Sequence, residues 1–177
     1  MANYATRPSL HTAARDGDLL AVHRLLAQGA LVDARDGHSM TPLHHAAETG
    51  HVDVAQSLIR KSADVDAESN FDGDPHEGKD GELGRTAIHY AVAGGHVEVV
   101  DLLLRHGADL NARDRYKLLT PLQIAVNRRD LDTAKVLLRH GCDLNVRDRH
   151  GWTALRHATE CGDRQMVALL TEHGAIE

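Results

Sequence analysis

The sequence predicts an all-α repeat solenoid of short, stacked helix-turn-helix units joined by β-hairpin-like turns. Three observations carry that prediction. Five strings align without gaps: PSLHTAARDGD from Pro8, TPLHHAAETGH from Thr41, TAIHYAVAGGH from Thr86, TPLQIAVNRRD from Thr120 and TALRHATECGD from Thr153. They recur at steps of 33, 45, 34 and 33 residues, and self-similarity at a period of roughly 20 to 50 residues marks a stacked architecture. Paired apolar residues follow each of the first four strings, at Leu25/Leu26, Leu58/Ile59, Leu103/Leu104 and Leu137/Leu138. One helix pair cannot bury such a face alone, so the units must stack.

Within a unit the elements follow in a fixed order. Thr41 is a good N-cap, and Pro42 sits at the first helical position, where its missing N–H costs nothing. That first helix stops at Gly50. The second helix carries the apolar pair and ends at a glycine, at 29, 107, 141 or 174, which favours a left-handed C-terminal turn. The segment that follows (VDARD from Val32, LNARD from Leu110, LNVRD from Leu144) enters a turn and returns to the next Thr. A single domain, 1–177, divides into units near 8–40, 41–69, 86–119, 120–152 and 153–177. In the last unit Arg164 and Thr171 stand where the others have apolar residues, the polar outer face expected of a terminal unit, so a complete domain is expected.

The 45-residue step exceeds the period by the stretch NFDGDPHEGKDG, residues 70–81. It is expected to project as an acidic insertion from the turn between the second and third units, because loop-closure entropy grows slowly with length.

The pattern resembles the ankyrin repeat, through T-P-L-H-x-A-A from Thr41, G-H at Gly50 and Gly95, and G-A-D-L-N-A from Gly107. The likeness covers residues 8 to 177. It implies a concave face, lined by turn tips and first helices, that binds partners, as in stand-alone ankyrin inhibitors. It also places Asn111 and Asn145 in contexts similar to those hydroxylated in eukaryotic ankyrin domains.

Composition excludes several other classes. Two cysteines, Cys142 and Cys161, make neither a disulfide framework nor a four-ligand zinc set, so a reducing compartment, cytoplasmic or nuclear, is expected. The N-terminus lacks an apolar signal region, and no stretch approaches the roughly 18 apolar residues of a membrane span. The net charge of −6 is uneven: residues 1–88 hold 8 Lys/Arg against 14 Asp/Glu, and residues 89–177 hold 12 against 12. Neither half has the basic footprint of nucleic-acid binding.

Catalytic and metal motifs are missing. Among the fourteen histidines, eight recur at repeat positions (His11, His44, His89, His51, His96, His106, His140 and His173) and are expected to serve structural hydrogen bonds. The other six lack zinc-ligand spacing. In the insertion, Glu77 and Leu83 occupy the places where a calcium loop needs Gly and Glu. There is no nucleophile elbow and no phosphate-binding glycine loop. The expectation is a non-enzymatic, cofactor-free, monomeric module that docks a protein of mixed surface charge. The alternative is an enzyme or small-ligand site built from groove residues such as His45, Tyr90 and His157.

The candidate partner-binding residues come from register. Met40, Arg85, Leu119 and Trp152 each precede a unit-opening Thr and vary while their flanks do not. The insertion adds Phe71, the sole phenylalanine, with Asp72 and Asp74. The enlarged turn RDRYKLL adds Arg115 and Tyr116, and the end of a first helix adds Arg128 and Arg129. Arg129 replaces the glycine found at 17, 50, 95 and 162; left-handed backbone there would cost on the order of 1 kcal/mol. With Arg113, Lys117, Arg147, Arg149 and Arg156 these side chains form a basic strip, unless Asp114, Asp130 and Asp148 neutralise it as surface ion pairs.

Overall fold

A computed structural model describes residues 9–70 and 84–176. Its helices are α1 (Leu10–Arg15), α2 (Leu19–Ala27), α3 (Pro42–Thr49), α4 (Val52–Arg60), α5 (Ala87–Gly94), α6 (Val97–Arg105), α7 (Pro121–Asn127), α8 (Leu131–Arg139), α9 (Ala154–Glu160) and α10 (Arg164–Glu172). Eight of the ten start where the sequence supplies a capping Ser, Thr or Asp; α4 and α6 follow His51 and His96, which do not cap them. Thr41, Thr86, Thr120 and Thr153 stand in extended backbone before α3, α5, α7 and α9. Asp18, Asp130 and Asp163 accept amide hydrogens at the starts of α2, α8 and α10.

Consecutive helices pair, and the pairs stack in register. The odd-numbered helices α1, α3, α5, α7 and α9 form one row, and α2, α4, α6 and α8 pack successively in a second. Leu10, Leu43, Ile88, Leu122 and Leu155 are the buried rungs of the first row; Leu58, Leu103, Leu137 and Leu170 are those of the second. Each such side chain contributes about 1.5–3 kcal/mol of apolar burial. Arg164 and Thr171 are exposed, whereas their counterparts in α4, α6 and α8 are buried or half-buried.

A polar ladder ties successive turns together. Asp33, Asp66, Asn111 and Asn145 accept the backbone N–H of Asp64, Asp109, Asp143 and Ile176, at 3.1, 2.9, 2.9 and 3.1 Å. The ends of the long insertion meet at an antiparallel bridge between Ser69 and Arg85. Ser69 N–H donates to the Arg85 carbonyl and Gly84 N–H to the Ser69 carbonyl, both at 2.8 Å. Chain therefore leaves and re-enters the stack at one point, and the helix pairs on either side keep their register.

Candidate functional site

Polar side chains in the interior are consumed by the stack itself. His44 Nδ1 accepts the Thr41 amide at 3.0 Å, which leaves Nε2–H to donate to the Arg85 carbonyl of the next layer at 3.1 Å. His89 repeats the scheme with Thr86 and the Ala112 carbonyl, both at 3.1 Å. Burial pushes both imidazoles down to about 4, since a charged ring would lose its hydration. Gln123, at the same position in α7, reproduces the pattern without a titrating group. Its Oε1 accepts the Thr120 amide at 3.0 Å, and its Nε2 donates to the Val146 and Trp152 carbonyls at 3.0 and 2.9 Å.

The suggested constellation of His45, Tyr90 and His157 does not converge. Each side chain bonds a residue of the turn before its own helix: His45 to Asp36 at 2.7 Å, Tyr90 to Ser69 at 3.0 Å, His157 to Asp148 at 2.9 Å. These are the same pair of repeat positions with different residues. Burial alone would push the Asp36 and Asp148 carboxyls up, but the histidine bonds and turn amides outweigh it and hold both below the usual range. In α7 the position is Ile124, and among the described residues Oδ2 of the fully buried Asp114 lacks a hydrogen-bond partner. Among the described residues no cluster of His, Cys, Asp or Glu could hold a metal ion.

Two of the register-derived contact residues need correction. Met40 and Leu119 are buried, at 6% and 8% exposure, as members of the hydrophobic core, whereas the larger or charged residues at the same position reach the surface. Their side chains pack into the stack and are not part of an exposed row. Arg85 is half-buried, with its guanidinium 5.9 Å from the Tyr90 ring centre. Trp152 is 37% exposed. Tyr116 is half-buried beneath the Arg149 guanidinium, 5.0 Å from its ring centre, so the following turn shields this ring in part. Arg115 pairs with Glu68 and lays its aliphatic stem over Gly84, which straps it to the base of the insertion. Phe71, Asp72 and Asp74, and all of the insertion but Asn70, lie outside the described residues.

At the first-helix ends, Arg128 and Arg129 are exposed, and Arg129 has the left-handed backbone expected, with φ +58°. Its Nη2 donates to the Cys161 carbonyl at 2.8 Å. A side chain fits there because of what the next layer supplies. A Cβ at Gly50 would collide with the ring of His96, which reaches back to the Glu48 carbonyl. The residue in the next layer corresponding to His96 is Asp163 for Arg129, and it caps its own helix.

Ion pairs with Asp114, Asp130 and Asp148 were the alternative to a basic strip, and among the described residues none of the three forms a salt bridge with Lys or Arg. Asp114 accepts the Lys117 and Leu119 amides, Asp130 the Thr133 amide and hydroxyl, and Asp148 the His150 and Trp152 amides. In all three, Oδ1 serves the backbone amides. Among the described residues Arg113, Lys117, Arg128, Arg129 and Arg149 have no carboxylate partner. Two clefts open at the same place in the repeat. One, of about 230 Å³, is lined by Asp66, Glu68, Gly84, Thr86, Asp109, Ala112 and Arg113. The other, of about 260 Å³, is lined by Arg147, Gly151, Trp152, Thr153 and Arg156. Burial foremost, with the charges of Asp109 and Asp64, pushes the Asp66 carboxyl up, against the bond it accepts from the Asp109 amide. Glu68 and Arg147 are equivalent positions, so the two clefts differ in sign. The turn residues Arg35, Arg113 and Arg147 were recognisable as a repeat position. The pairing of 36 with 45 and 148 with 157 was legible only as a nine-residue spacing.

Stacked helix pairs with consumed interiors and varied turn edges define a repeat scaffold of the binding type. The family model for ankyrin repeats (3 copies) matches residues 10–114 and 115–176, and the chain belongs to that family. It is similar to human ankyrin repeat domain-containing protein 49, 48% identical over 31% of this chain and 23% of that protein. It also resembles human protein phosphatase 1 regulatory subunit 27, 44% identical over 37% of this chain and 42% of the relative. Acyl-CoA-binding domain-containing protein 1 of Arabidopsis thaliana is 38% identical over 31% of this chain and 16% of its own length. The matched segments thus span less than half of each relative. No helix of the described residues is long and apolar enough to cross a membrane.

Proposed function

We propose that this chain is a non-catalytic protein-interaction module, an adaptor or inhibitor that docks one protein through its concave face and turn tips. One observation carries the reading. The polar groups suited to chemistry, His44, His89, His45, His157, Asp36 and Asp148, are engaged in bonds within the stack, while Arg113, Lys117, Arg128, Arg129 and Arg149 stand exposed at the turns and the end of a first helix. The name of the phosphatase regulatory subunit among its relatives supports a binding role over a catalytic one.

The partner has a mixed-charge surface, basic toward the Asp66/Glu68 cleft and insertion, acidic toward the Trp152/Arg156 cleft and Arg128/Arg129. Such complementarity makes association salt-sensitive. The module works as a monomer in the cytoplasm or nucleus.

Quantitative affinity capture from a lysate of the source organism tests the reading. Intact protein is compared with a Trp152→Ala, Arg129→Ala variant and with a deletion of residues 70–81. A protein enriched by the intact chain and reduced by either change is expected. Capture of no specific protein, with a small metabolite retained instead, would overturn the binding-module reading.

A further inference from the structure

We propose that the cleft between Trp152 and Arg156 is a docking subsite for a carboxylate-bearing segment of a protein partner; this rests on the binding-module reading above. The inference starts from a repeat position. His11, His44, His89 and Gln123 each send an N–H donor to a carbonyl of the following layer: Ala34 at 2.8 Å, Arg85 at 3.1 Å, Ala112 at 3.1 Å and Val146 at 3.0 Å. Neutral donors meet neutral acceptors there. In α9 the same position is Arg156, a permanently charged fork of donors that suits a planar carboxylate.

Its surroundings fit that acceptor. Among the described residues the Arg156 side chain touches Glu160 in its own helix, at 2.6 Å, and the Trp152 ring, 5.7 Å from its centre. Only Nη2 meets Glu160, which leaves the Nη1 and Nε hydrogens of the guanidinium for a second acceptor. The neighbouring carboxylate, Asp148, does not compete, because the amides of His150 and Trp152 and the His157 ring occupy it from within. Arg147, from the same turn, lines the cleft as a second guanidinium, its Nη1 donating to the Gly151 carbonyl at 2.8 Å. The volume, about 260 Å³, suits one or two acidic side chains. Arginine and tryptophan are the residues that anchor protein interfaces.

Trp152 is the single tryptophan of the chain, so its fluorescence reports this cleft alone. The intact protein is titrated with hexaglutamate peptide, hexalysine, inorganic phosphate and a single-stranded oligothymidine. Hexaglutamate is expected to shift the emission saturably, with affinity weakened at least fivefold by Arg156→Gln and unchanged by Arg24→Gln on the exposed side of α2. No response to hexaglutamate, or a response untouched by Arg156→Gln, overturns the proposal. An equal response to phosphate would make this a small-anion site, a response to oligothymidine alone a nucleic-acid site, and a concentration-dependent shift of the protein by itself a contact between copies; each also overturns it. Arg156→Gln is assayed in parallel by lysate capture: a partner retained there, with no peptide response, would refute the subsite while leaving the binding module standing.

Discussion

The cleft beside Glu68 and the cleft beside Arg147 occupy one repeat position and have similar volumes, yet one is acidic and the other basic. The same division runs through the junctions. Layers one to three are latched by the rings of His51 and His96, which reach back to the Arg15 and Glu48 carbonyls. In the later layers Asp130 and Asp163 sit at those positions and cap their own helices instead. The lesson is that the backbone geometry of a layer is set by a handful of caps and rungs, and the remaining positions are released to vary. Charge could diverge between the two halves because it sits on side chains that the stack does not use.

The widest separation between the halves is expected at the helix-ending glycines. Gly50 and Gly95 share a left-handed backbone, φ +78° and +76°, but only Gly50 lies against a histidine ring. Gly95→Ala is expected to cost about 1–2 kcal/mol for the backbone alone. Gly50→Ala adds about 1–3 kcal/mol of overpacking against His96. Urea unfolding measures both, and equal losses would remove the latch from the account of the early layers.

Acid sharpens the contrast next. His44 and His89 titrate at about 4 in the folded chain and near 6.5 when unfolded. Between those values the unfolded chain binds the extra protons, so stability falls as pH drops from about 6.5 to about 4. The combined loss is on the order of a few kcal/mol. The double variant His44→Gln, His89→Gln adopts the chemistry already present at Gln123 and is expected to flatten that decline. Superimposable pH profiles from thermal melts would show that these rings do not govern the acid response.

A smaller effect separates two turn aspartates. Asp148→Asn weakens the bond to His157 and is expected to cost about 1–2 kcal/mol. Asp114→Asn keeps the Oδ1 acceptor for the Lys117 and Leu119 amides and removes a charge with no partner opposite Ile124. Its cost is expected to be under about 0.5 kcal/mol. Comparable losses from both would mean that Asp114 finds compensation elsewhere.

Much of this architecture could be read before any coordinates. Thr, Pro and Gly at fixed intervals announce caps and stops through local backbone chemistry, and the Leu pairs announce the rungs. The Arg129 strain was equally readable, since its repeat position is otherwise glycine. Met40 and Leu119 were misjudged because variation along a repeat does not reveal which way a turn residue points. The choice between a basic strip and ion pairs with Asp114, Asp130 and Asp148 stayed open in the sequence for a related reason: it does not show that each of these carboxylates meets amides near it in the chain.

By itself, then, the sequence determined the family of fold, the register of its units and the place of the long insertion, all of which follow from periodic local signals. Only the tertiary structure decided which polar groups are spent between layers and which remain at the edge. That choice depends on distances across repeats, such as His44 to the Arg85 carbonyl or Arg115 to Glu68, for which a single chain of letters carries no measure.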